Sequence, residues 1–116
     1  MTRLFVRLPE FERKCKHIGL DEDDIRDIEL NLLNNPIAGD MIMGTGGIRK
    51  LRITLPNRGK SSGGRVIYLD FAYYEKVYFI TVYDKADTDD LTESEKHLLK
   101  ILSKDLESEL RKKVMK

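Results

Sequence analysis

Apolar and polar positions alternate along this chain with two different periods, and each change of period marks an element. Leu4 to Leu8 reads as a short extended segment. Pro9 stands where a first helical turn tolerates it, and Phe11, Cys15 and Ile18 follow at helical spacing up to Gly19. Leu20 and Asp21 begin a second helix, with acids at 21–24 complementing its amino end and Ile25, Ile28, Leu32 and Leu33 on one face. Asn34, Asn35 and Pro36 stop it.

From Gly44 the texture changes. GTGG supplies loop flexibility, and IRKLRITL (48–55) alternates with period two, as a strand does. RVIYLDF (65–71) and KVYFITVY (76–83) are rich in β-branched and aromatic residues and predict two more strands. Residues 72–75 are of hairpin length, whereas PNRGKSSGG (56–64) is longer, polar and glycine-rich, the signature of a mobile loop. Thr92 with Glu95 three residues on is a capping box, and Leu99, Leu102, Leu106 and Leu110 continue in register behind it. The predicted order is β-α-α-β-β-β-α, an α+β domain with an antiparallel sheet and helices packed on one face.

Composition fits one such domain spanning residues 1–116. Hydrophobic residues make up 41% and charged residues 35%, enough for a single small core and too little chain for a second. No apolar run approaches the roughly 20 residues of a membrane span, and MTRLFVRLPE breaks its apolar start with two arginines and a proline. The lone Cys15 cannot form an internal disulfide. The expectation is a cytoplasmic protein without membrane contact.

Charge adds what periodicity does not. The formal net charge is +1, yet Met41 to Leu69 contains no acid and six bases: Arg49, Lys50, Arg52, Arg58, Lys60 and Arg65. The other 87 residues hold 15 basic and all 20 acidic side chains. Such polarisation suggests a polyanion-binding face on an acidic body, against the plainer reading of a solvated hairpin.

Two phosphate-loop look-alikes fail. GTGGIR has Arg49 where G-x-G-x-x-G needs glycine, and Gly59, Lys60 and Ser61 follow Thr54 where the Walker motif needs its first glycine. Cys15, His17 and His97 lack zinc spacing, and the acids from Asp84 to Asp90 lack the glycine and final glutamate of a calcium loop. No metal or cofactor is expected. Those three residues are better explained by packing or surface roles on helices.

The basic strand carries chemistry. Lys50 and Arg52 are two apart, so they leave one face about 6–7 Å from each other, while Leu51, Ile53 and Leu55 point to the core. Arg65 opens the neighbouring strand and Lys85 follows the last one. Four cations with no acid between them would be costly without an anion to fill the space, and a phosphodiester is the fitting one. Lys50, crowded by like charges, is the candidate to take the proton from an RNA 2′-hydroxyl. Arg52 and Arg65 would stabilise the five-coordinate phosphorus, with Lys85 closing the cluster. Arg49, Arg58 and Lys60 are candidates for holding further phosphates.

The run GTGGIRKLRI, the glycine-rich basic loop, GGRVIY, and FITVYDKAD before a final helix resemble the HigB branch of the RelE/ParE toxins of bacterial type II toxin–antitoxin modules. The resemblance covers nearly the whole chain and is most specific from Gly44 to Lys85. It implies a ribosome-dependent, metal-independent endoribonuclease that cuts mRNA in the A site, arrests translation, and is silenced by a HigA-like helix-turn-helix antitoxin, the free toxin being monomeric. It also implies catalytic roles for Lys50, Arg52, Arg65 and Lys85. The last stands where RelE carries an arginine, and ADTDDLTES (86–94) lacks the tyrosine or histidine such toxins often place after the last strand, so the resemblance leaves stacking on an RNA base to Tyr68 or Tyr83, or to ribosomal RNA. The alternatives are a non-catalytic member of the fold, such as a gyrase inhibitor, and a plain ribosome- or RNA-binding module.

Overall fold

The computed structural model describes residues 2–56, 63–87 and 91–114. Its centre is formed by the two most apolar strands, β4 (Gly64–Phe71) and β5 (Lys76–Asp84), paired antiparallel through a 3-10 turn at Ala72–Tyr74. Glu75 closes that turn with a left-handed backbone, φ 56°, and its amide bonds the Ala72 carbonyl. β3 (Arg49–Ile53) pairs antiparallel with β4, and a two-residue strand β2 (Asp40–Met41), which the sequence reading did not anticipate, pairs with β3. β1 (Leu4–Arg7) joins the far edge, giving the order β1-β5-β4-β3-β2.

The antiparallel expectation holds for β2 through β5 and is corrected at β1, which runs parallel to β5. Four alternating residues carry no record of partner direction; the stack of Phe5 and Phe11 on Phe79, with ring centroids 5.6 and 4.8 Å away, ties this edge to the helix after it. That helix, α1 (Pro9–Ile18), begins on Pro9 and ends at Gly19, φ 83°. α2 (Glu22–Asn34) starts at Asp21, whose carboxylate accepts from the Asp24 amide while Asp24 accepts from the Asp21 amide, satisfying two otherwise orphan donors.

One apolar cluster unites Phe11, Cys15, Ile25, Ile28 and Leu32 with Leu51, Val66, Tyr68 and Phe79. A second contains Ile42, Ile48, Ile67, Leu69 and Ile80, with Leu99, Leu102 and Leu106 of α3 (Glu93–Val114) packed against it. The one-face packing expected of the helices describes α1 and α2. α3 lays its stripe over the second cluster because the VIYL run of β4 is apolar on both sides and needs cover on each. The capping box of α3 is formed: Thr92 and Glu95 exchange hydrogen bonds of 2.9 and 3.1 Å.

The GTGG segment is a folded loop between β2 and β3. Thr45 is fully buried; its hydroxyl donates to the Ile42 carbonyl at 2.7 Å and accepts from the Ile48 amide at 3.2 Å. Gly46, at φ 80°, passes so close to α3 that a Cβ would stand 2.7 Å from the Ser103 hydroxyl. Left-handed backbone at Gly44, Gly46 and Gly47, with close packing onto the helix at Gly46, accounts for these glycines. Among the described residues no helix is long and apolar enough to cross a membrane.

Candidate active site

β3 presents alternate residues to opposite faces. Leu51 is buried in the first cluster with Ile53 packed against it, so Lys50 and Arg52 leave the other side of the strand. In the ladder Arg52 is the direct partner of Arg65 and Lys50 that of Ile67. Directly opposed residues have Cβ atoms about 4.5–5.5 Å apart, so the two guanidinium side chains start as neighbours. Past β4, the Lys85 amide donates to the Gly63 carbonyl at 3.1 Å, extending the ladder by one bond and holding Lys85 at the start of β4.

Lys50, Arg52, Arg65 and Lys85 therefore line one cleft of about 360 Å³, and Asp40 lines it with them. Three elements supply the cations: the middle of β3, the first turn of the β4 ladder and the exit of β5. The exit is shaped by buried Asp84, whose Oδ1 accepts from the Ala86 amide at 2.9 Å and bends the chain there. Arg65 Nη1 donates to the Gly64 carbonyl at 3.0 Å, which draws its guanidinium back along its own strand. Arg52 is exposed, whereas Lys50, Arg65 and Lys85 are half-buried. Cations gathered in this way can hold an anionic oxygen from several directions and neutralise charge building on it.

Other candidates lie elsewhere. Arg49 has the opposite parity to Lys50, and its Nη1 donates to the Gly39 carbonyl at 2.8 Å. Its partner across the ladder, Tyr68, is fully buried in the first cluster, and its hydroxyl accepts from the Gly39 amide and donates to the Pro36 carbonyl, both at 2.9 Å. Neither side chain belongs to the cleft, and the Tyr68 ring has no free face for a base; burial holds its hydroxyl above the ordinary tyrosine pKa. Both instead anchor the 36–39 segment. Arg58 and Lys60 lie outside the described residues.

The residue that sequence reasoning passed over is Asp40, the register partner of Lys50. It bounds the acid-free stretch in the sequence, a position that marks it as outside the basic face, and only the two-residue strand β2 brings it back to that face. Cys15 is buried in the first cluster, where burial and nearby Glu12 push its thiol up to about 12, far from a nucleophile's range.

The solved structure of a doubly arginine-to-alanine-substituted E. coli toxin RelE in the free state is similar, with a TM-score of 0.53 at 19% identity over 77% of this chain and 90% of that one. Residues 3–116 match the family described as the RelE toxin of the RelE/RelB toxin–antitoxin system. A match over that span, on a fold shared with RelE, makes this chain a member of the RelE toxin family.

Proposed function

We propose that this toxin is a metal-independent endoribonuclease of the HigB branch that cuts mRNA in the ribosomal A site and is silenced by a HigA-like helix-turn-helix antitoxin. The observation that carries this reading is the cleft in which Arg52 and Arg65 oppose each other between Lys50 and Lys85. A gyrase-directed member of the fold has no need of such a cluster. A phosphodiester fits it: two guanidinium groups hold the non-bridging oxygens and stabilise the extra negative charge of the five-coordinate phosphorus, and an ammonium protonates the departing 5′-oxygen. The family's RelB-type partnership and the sequence features GTGGIRKLRI and GGRVIY support the antitoxin and the branch.

Expression of the chain alone is expected to stop bacterial growth and to leave cuts within translated mRNA, mapped by primer extension. Purified toxin with programmed ribosomes should give the same cuts in the presence of chelator. Lys50→Ala and Arg65→Ala should each relieve toxicity with the fold retained. Intact mRNA under an arrested culture would sink the nuclease reading and favour another target.

A further inference from the structure

An anion site gains nothing from a carboxylate, yet one stands in this cleft. Asp40 is paired with Lys50 across β2 and β3 and lines the same space as Arg52, Arg65 and Lys85. Its placement is built from the opposite face of the sheet. The preceding residue, Gly39, is held at its amide by the buried Tyr68 hydroxyl and at its carbonyl by Arg49, at 2.9 and 2.8 Å. The fit there is tight: a Cβ on Gly39 would stand 2.8 Å from both the Lys50 carbonyl oxygen and Tyr68 Cε1. Two side chains that the cleft does not use thus fix the one acid among its described lining residues.

Resting on the reading that the cleft cuts RNA, we infer that Asp40 is its proton acceptor. An ionised carboxylate is acceptor-only, whereas an ammonium has three donors and no acceptor. The base role that the sequence suggested for Lys50 therefore falls to its neighbour. An Asp40 carboxylate oxygen takes the 2′-hydroxyl proton, and the 2′-oxygen uses its electron pair to form a bond to phosphorus. The bond from phosphorus to the 5′-oxygen breaks, its electron pair departs with that oxygen, and Lys85, across the cleft from Asp40, supplies the proton it needs. The products are a 2′,3′-cyclic phosphate and a 5′-hydroxyl. After product release Asp40 gives its proton to water and Lys85 takes one from water, which restores both groups.

Asp40→Asn and Asp40→Glu toxins are compared with wild type on ribosomes programmed with one mRNA, and with the same mRNA carrying sulfur in place of the scissile 5′-oxygen. A thiolate departs without a proton, so this substrate rescues loss of an acid and leaves loss of a base uncorrected. The expected result is a fall of about 10²–10⁴-fold for Asp40→Asn on both substrates, as for removal of a general base. Asp40→Glu should recover part of it, and ribosome binding should be unchanged or tighter. Lys85→Ala should be rescued by the sulfur substrate. Cleavage by Asp40→Asn within threefold of wild type, or its rescue by sulfur, overturns the assignment while leaving the nuclease reading intact. No cleavage by wild type overturns the nuclease reading itself.

Discussion

Arg52 and Arg65 are direct partners in the β3–β4 ladder, and both side chains reach the same cleft. Opposed like charges in a sheet are destabilising by a few tenths of a kcal/mol or more, so this pairing works against folding and in favour of an anion.

Arg52→Gln is accordingly expected to keep or slightly raise the melting temperature while abolishing measurable mRNA cutting. The same opposition predicts that a short non-cleavable RNA stabilises the wild type; at a ligand concentration of 100 times Kd the gain is about 2.7 kcal/mol. Thermal melts of both proteins with and without the RNA check this. A clear loss of stability in Arg52→Gln would mean that the guanidinium is a structural prop.

At the other end of β4 a different ion pair has the opposite character. Arg3 Nε donates to Asp70 Oδ1 at 2.7 Å and Nη2 to Oδ2 at 3.4 Å, with the two side chains only 9% and 10% exposed. The bond to Asp70 raises the arginine pKa. Arg3→Ala should cost on the order of 3 kcal/mol, because it strands a desolvated carboxylate. The double variant with Asp70→Ala should cost less than the sum of the singles. Urea unfolding measures both, and the folded fraction of Arg3→Ala should still cut mRNA.

Burial also sets a pH dependence at Cys15. Its folded pKa is pushed from an ordinary value near 9 up to about 12, so between those values the native thiol keeps a proton that the unfolded chain has lost. Stability linked to this group is therefore full below pH 9 and declines as pH rises toward 12. Cys15→Ala should be less stable at neutral pH through lost packing yet show a flatter decline above pH 9. Alkylation at pH 8 should wait for unfolding, and a thiol that reacts at once in the native protein would contradict its burial.

Much of this molecule is legible in the chain because the signals are local. Pro9 and Gly19 bound α1, Asp21 caps α2, and Thr92 with Glu95 opens α3, each through its own backbone bonds. The parity of 50 and 52 likewise follows from the strand period alone. What local pattern does not encode is partner and face. The direction of β1, the cover of α3 over the second cluster, and the pairing of Asp40 with Lys50 depend on segments far apart or only two residues long. Tyr68 illustrates the same gap: an aromatic residue on a strand beside cations reads as a stacking ring, but its ring lies in the core and its hydroxyl ties down Pro36 and Gly39.

That tie gives the last prediction. Tyr68→Phe removes a hydroxyl that accepts from the Gly39 amide and donates to the Pro36 carbonyl, leaving both buried-side partners unsatisfied at about 1–3 kcal/mol. Gly39→Ala attacks the same place sterically, since its Cβ would meet the Lys50 carbonyl oxygen at 2.8 Å and separate β2 from β3. Both changes keep every cation of the cleft and act at the seam between β3 and the strand that delivers Asp40. Cutting should therefore fall by tenfold or more in each, at a temperature where melts show the protein folded, while binding of a non-cleavable RNA persists. Hydrogen exchange at the Asp40 and Met41 amides should rise in parallel. Full cutting by a folded Gly39→Ala toxin would show that the cleft functions without a fixed β2.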